Sequence, residues 1–174
     1  MTQIISRAVY PGSELAISKW IKDNSAIKHK TGYDINKITK DKLYESALHL
    51  YKHKDAIEKH LSTKTNELFD LQDRIMLYDL TNTYFEGSKR KSNLAKYGRS
   101  KEKRSDAKLV VLAMVVNIEG FIKYSAIHEG NFSDTSNINP LLQKLSVTTS
   151  NSAKPIVVMD AGIATEANLK VLNQ

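Results

Sequence analysis

From Leu109 to Val116 eight consecutive residues are apolar, LVVLAMVV, and this run limits the possible folds more than any other stretch. It is too short to cross a bilayer, which takes about 18 or more apolar residues in a helix. It reads instead as a β-strand, Leu109 to Asn117, buried on both faces, and such a strand needs neighbours on its edges and cover on its faces. The surrounding sequence supplies candidates. Ile75 to Tyr78 is an apolar run ending in Asp79, and the β-branched and aromatic stretch Thr81 to Phe85 follows it. Together they predict a buried strand that emerges at its end. Glu119-Gly120 marks a turn, and Phe121 to Ile127 a third strand in which Ile122, Tyr124 and Ala126 alternate with Lys123 and Ser125. Pro155 introduces a fourth, Ile156 to Met159, that stops on Asp160. Short helices are expected over Asn139 to Leu145 and Thr165 to Leu172.

The first part of the chain is different in kind. Of 7 glycines and 3 prolines, only Gly12, Gly32 and Pro11 precede residue 86. Ser13 suits an N-cap after the Pro11-Gly12 turn, with Leu15, Ile17, Trp20 and Ile21 as the buried stripe of the helix it starts. Residues 39 to 69 show helical spacing in Leu43, Ala47, Leu48, Leu50, Tyr51, Ile57 and Leu61, with a break expected near Ser62-Thr63. The predicted organisation is an α-helical region over 1–70 and an α/β region over 71–174.

Composition narrows the function. The 174 residues carry 26 Lys plus Arg against 19 Asp plus Glu, a formal charge of +7 that favours a polyanionic partner, nucleic acid being the commonest. The absence of cysteine excludes a disulfide framework, a thiolate nucleophile and a Cys-ligated metal. The N-terminal MTQIISRAVY lacks the apolar core of a signal peptide, and a cytoplasmic protein without a membrane partner is expected.

The chemistry is concentrated in a repeated device, four apolar residues followed by Asp, at Asp79 and Asp160. Carboxylates at the ends of neighbouring strands could hold Mg²⁺ or Mn²⁺ through oxygen ligands with water positions open. The alternative is that each Asp caps its strand or the turn after it. An aspartyl phosphotransferase would want a second Asp two residues after the first, where Thr81 stands. Between the first two strands, residues 89 to 104 hold eight basic side chains, Lys89, Arg90, Lys91, Lys96, Arg99, Lys101, Lys103 and Arg104, against Glu102 alone. Such a segment, with Tyr97 inside it, suits phosphate-backbone contact or is a solvated loop. His49, His53 and His60 lack a metal-binding arrangement and read as polar-face residues, and Asp134 reads as a cap.

Four stretches in register, YDLTNTYFEG (78–87), YGRSKEKRSDAKLVVLAMVVN (97–117), GFIKYSAIHEGNFSD (120–134) and VVMDAGIATEANL (157–169), resemble bacterial insertion-sequence transposases of the DDE type, in the group marked by a Tyr-Arg-Glu-Lys signature. ITKDKLYESALHLY (38–51) resembles the helical segment that precedes their catalytic core. The resemblance implies an RNase H-like, retroviral integrase-type mixed sheet of strand order 3-2-1-4, with the family's fifth strand missing. It implies Asp79 and Asp160 as catalytic, metal-holding residues, Mg²⁺ or Mn²⁺ as cofactor, and transposon-end and target DNA as partners. The activity implied is DNA transposition by metal-dependent phosphoryl transfer, and a homo-oligomer is compatible with it. The signature's Glu has no counterpart: Glu166 is the only acid after Asp160. The expectation is therefore a fragment truncated at both ends and inactive alone, or a non-catalytic DNA-binding remnant able to inhibit the full-length enzyme. An Asp-dependent phosphatase is the remaining reading.

Overall fold

The computed structural model describes residues 1–23, 26–86, 89, 91–98, 105–132, 138, 141–142 and 155–172. Two compact units divide the chain, Met1–Ala56 and Ile57–Gln174.

The first unit is helical: α1 Thr2–Val9, α2 Glu14–Asp23, α3 Ala26–Thr31, a 3₁₀ turn at Ile35–Lys37, and α4 Lys40–Lys52. Ser13 opens α2 as expected, its Oγ accepting the Ala16 N–H at 3.3 Å. Thr39 does the same for α4 toward Lys42, also at 3.3 Å. Ile17, Ile21, Ile27, Ile38 and Leu43 form the core of this unit, with Trp20 and Ile35 against it. Leu15, expected in the buried stripe, is exposed, because Ile17, Trp20 and Ile21 are the apolar residues of the helix that meet the core. Helix α1 lies within the helical region expected over 1–70, although no individual helix was expected there.

Helix α5, Lys54–Phe69, crosses the division between the units. The break in the long helical segment falls at His53, the C-cap of α4, and not at Ser62-Thr63. Ser62 lies inside α5 and is buried there by its contact with the sheet.

The second unit is built on a four-stranded mixed sheet of order β3-β2-β1-β4, with β1 Ile75–Tyr84, β2 Leu109–Asn117, β3 Ile122–Glu129 and β4 Ile156–Met159. Strand β2 runs antiparallel to both β1 and β3, and β4 lies parallel to β1. Helix α6, Glu166–Leu172, follows, with Thr165 Oγ1 accepting the Asn168 N–H at 3.3 Å. This is the α/β class and strand order expected. Every residue of β2 is buried or half-buried, in agreement with its apolar run. Strand β1 departs from expectation. Met76 and Tyr78 are buried, whereas Leu77 is 40 % exposed and Asp79 is exposed, so β1 is covered on one face only.

One sheet face carries the core: Met76 and Tyr78 of β1, Ala113 and Val115 of β2 and Tyr124 of β3, closed by Ile138, Leu141 and Ile163. Helix α5 meets the sheet through polar contacts, with Phe69 at its end stacking on Phe121 just before β3. Lys123 stands at a bulge, where Val115 pairs with Tyr124 but Val116 pairs with Ile122. Its side chain is fully buried and meets Asp73 Oδ2 at 2.9 Å, Asn66 Oδ1 at 2.5 Å and Ser62 Oγ at 3.3 Å. This reverses the expected alternation, since Ile122 is the exposed residue and Lys123 the buried one. The expected helix over 139–145 lies outside the described residues apart from Leu141 and Leu142, which are helical. No helix among the described residues is long and apolar enough to cross a membrane.

Candidate functional site

The registers bring the two aspartates together. β4 pairs with β1 from Ile75–Ile156 to Tyr78–Met159, so the next residues along the two parallel strands are Asp79 and Asp160. Neighbouring strands lie about 4.8 Å apart. Pairing between β1 and β4 ends there, while β1 continues beside β2 through Asp79–Met114 to Tyr84–Leu109. Asp79 is therefore not at a strand end, as the apolar run suggested; it is the fifth residue of a ten-residue strand. What ends at Asp79 is the partnership with β4. Strands that part company leave a crevice at their carboxyl ends, the usual place for ligand chemistry in an open sheet.

Both carboxylates are exposed, and they differ in local duty. Asp160 Oδ1 accepts the Gly162 N–H at 2.8 Å, and the Asp160 carbonyl accepts from Ile163 and Ala164, so this residue closes the turn after β4. The turn drives Ile163 into the core. The capping role considered for Asp160 is thus present, and it occupies one carboxylate oxygen. Asp79 is flanked on its own strand by exposed Leu77 and Thr81.

Glu166 does not join them. It stands in the first turn of α6 and pairs with Lys170 at 2.8 Å, both side chains more than 70 % exposed. His49 and His53 meet edge to face with ring centroids 4.8 Å apart, but among the described residues no three His, Asp or Glu gather where a metal could bind. The donors available near Asp79 are the hard oxygens of two carboxylates, which suit Mg²⁺ or Mn²⁺ as part of a ligand set.

Of the basic segment, Lys89, Lys91 and Lys96 are described and all are exposed, whereas Arg90, Arg99, Lys101, Lys103 and Arg104 lie outside the described residues, as does Asp134. The described part is anchored. Lys96 and Leu109 form an antiparallel bridge, Lys96 N–H to Leu109 O at 3.1 Å and Leu109 N–H to Lys96 O at 2.9 Å. The Gly130 N–H donates to Leu94 O at 3.1 Å. Gly98 and Gly130 pass so closely that a Cβ on Gly98 would overlap the Gly130 carbonyl, and one on Gly130 would overlap the Leu109 and Lys96 carbonyls. Nothing in the sequence links the two glycines; only their contact across 32 residues of chain reveals the junction.

Next to this junction His128 stacks on Phe132 with centroids 4.0 Å apart, and burial of the imidazole holds its pKa below the ordinary 6.5. No match to the chain was found among family models, curated proteins or solved structures.

Proposed function

We propose that the chain serves DNA transposition as part of a DDE-type, RNase H-like transposase core, with Asp79 and Asp160 as the first two of three metal-holding carboxylates. The observation that carries this reading is the parallel register that sets Asp79 beside Asp160 where β1 and β4 separate. The strand order β3-β2-β1-β4 is compatible with it. So is the basic segment that begins five residues after β1 ends and holds eight cations for a phosphate backbone.

The roles divide as follows. Asp79 and Asp160 would hold Mg²⁺ or Mn²⁺, leaving water positions open. The bound metal would activate a water or 3′-hydroxyl and stabilise the leaving oxygen of a phosphodiester. One Asp160 oxygen accepts the Gly162 N–H, which would leave the other for the metal. Lys89, Lys91 and Lys96 would hold the DNA backbone. Glu166, paired with Lys170 on the surface of α6, is not among the proposed ligands.

The test is Mn²⁺ titration of the 174-residue polypeptide, followed by the electron paramagnetic resonance signal of the free ion. Weak binding is expected, lost roughly tenfold or more in Asp79→Asn and in Asp160→Asn, because removing one of two charged ligands removes most of the attraction. Equal binding by wild type and both variants would sink the metal assignment. With two carboxylates the polypeptide alone is expected not to join DNA strands. Metal-dependent strand transfer by the purified chain would overturn that part.

A further inference from the structure

We propose that Tyr97 is a stacking platform for an unpaired DNA base, with Lys96 and Lys108 beside it for the flanking phosphates. The inference rests on the DNA reading above and adds the form of DNA and the residue that meets it. Tyr97 is 61 % exposed. Its backbone is nevertheless held on both sides. Lys96 is bridged to Leu109 in both directions, Leu94 O accepts from Gly130, and Gly98 abuts Gly130 with no room for a Cβ. A side chain on a freely solvated loop has no need of such anchoring. The Lys108 backbone is held as well, its carbonyl accepting the Phe85 N–H at 2.9 Å, and its ammonium lies over one face of the Tyr97 ring, 5.9 Å from the centroid, so a base would stack on the opposite face. A second cation–aromatic pair stands on the same stretch of chain, Lys89 over Phe85 at 5.1 Å.

An exposed ring on a fixed backbone, interleaved with lysines, has the two parts that single-stranded DNA sites combine: a π face that accepts any base, and cations that follow the phosphates. The backbone that carries the ring is already anchored on both sides, so binding would order the Tyr97 side chain and not the loop. Duplex DNA would use the lysines only, because its base faces are covered by stacking.

Placement makes Tyr97 a positioning residue. Lys96 pairs with Leu109, which pairs with Tyr84, five residues along β1 from Asp79. At about 3.4 Å per residue that is about 17 Å, or some five base steps. The contact therefore falls on DNA flanking the reacting phosphate.

The experiment is fluorescence anisotropy with a labelled oligothymidine and a labelled duplex of equal length, without divalent metal, at several salt concentrations. Tyr97→Ala is expected to weaken oligothymidine binding about tenfold and to leave duplex binding and the salt slope unchanged, since no charge is removed. Tyr97→Trp should bind oligothymidine as well as wild type does. An unchanged Tyr97→Ala affinity overturns the platform while leaving the DNA reading in place. Equal losses for oligothymidine and duplex, or failure of Tyr97→Trp to bind, would mean that the ring acts only through the fold. Tighter binding of oligouridine than of oligothymidine would overturn the assignment to DNA. Absence of binding by wild type to either DNA overturns both the platform and the DNA contacts proposed above, whereas the Mn²⁺ titration stands or falls separately.

Discussion

Lys123 carries an ammonium group to a place where its side chain has no solvent exposure, and the surrounding residues answer each of its needs. Asp73 supplies the opposite charge, and Asn66 and Ser62 supply acceptors. Asp73 is satisfied in turn by the Asn66 and Asn117 amides at 2.6 and 3.1 Å, and Asn117 Oδ1 accepts the Phe121 N–H at 2.8 Å. Asp73 adopts a left-handed backbone, φ 46°, which Asp tolerates better than most residues. A buried pair of this kind need not add net stability, but removal of one partner strands the other charge in a poor dielectric. Lys123→Met is expected to cost about 3–5 kcal/mol in urea unfolding. Lys123→Met combined with Asp73→Asn should recover a substantial part, because no net charge then remains buried. A double variant as unstable as the single one would show that the amine's hydrogen bonds, not its charge balance, matter. Nothing near Lys123 in sequence announces this. Its partners come from residues 62, 66 and 73, and the local alternation from Ile122 to Ala126 places Lys123 on the solvent side. The bulge decides otherwise, and a bulge has no reliable signature in one strand alone.

At the scale of elements, what could be read from sequence was what depends on neighbours along the chain. The apolar run of β2 demanded cover on both faces and has it. The Glu119-Gly120 turn holds, with Gly120 at φ +87° and its N–H donating to Asn117 O at 3.0 Å. Ser13 caps the helix that follows it, and the helix expected from Thr165 begins one residue later, with Thr165 as its cap. The failures lie where tertiary contact decides. Asp79 was expected at a strand end but lies inside β1, whose second half is supported by β2 alone. The Gly98–Gly130 junction joins two loops, and neither glycine has a positive φ to explain it. Space, not backbone conformation, requires glycine there. Gly130→Ala is expected to cost about 1–3 kcal/mol, the range for overpacking, and to increase hydrogen exchange at the Gly130 and Lys96 amides as the junction opens. Gly120→Ala should also destabilise, through its left-handed backbone, while leaving exchange at Lys96 unaltered. Slow exchange at Lys96 in the Gly130→Ala protein would mean that the bridge to Leu109 holds without the close glycine packing.

For the whole molecule, the charge excess and the absence of cysteine were legible at once, but the pairing of Asp79 with Asp160 was legible only in part. The repeated device of four apolar residues and Asp marked both residues; the equal count, ending on Asp in each strand, produces the shared position once the strands lie in parallel register from Ile75–Ile156. Sequence could not supply that register, since it depends on which strands become neighbours. The chain also contains two separate buried clusters, one around Ile17 and Ile21 and one around Met76 and Val115. Each belongs to its own compact unit, and the single tryptophan, Trp20, packs on the first and stacks on Tyr10 with ring centroids 5.3 Å apart. Trp20 fluorescence should therefore follow the helical unit. Ile17→Ala removes a side chain with no solvent exposure and is expected to lower the Trp20-monitored stability by about 2–5 kcal/mol. Val115→Ala hollows the other cluster and should leave the Trp20 transition in urea where it is, while lowering protection of the β2 amides against hydrogen exchange. If both substitutions move the Trp20 transition equally, the two cores melt as one cooperative system, and the division at Ala56 is a feature of packing without a counterpart in stability.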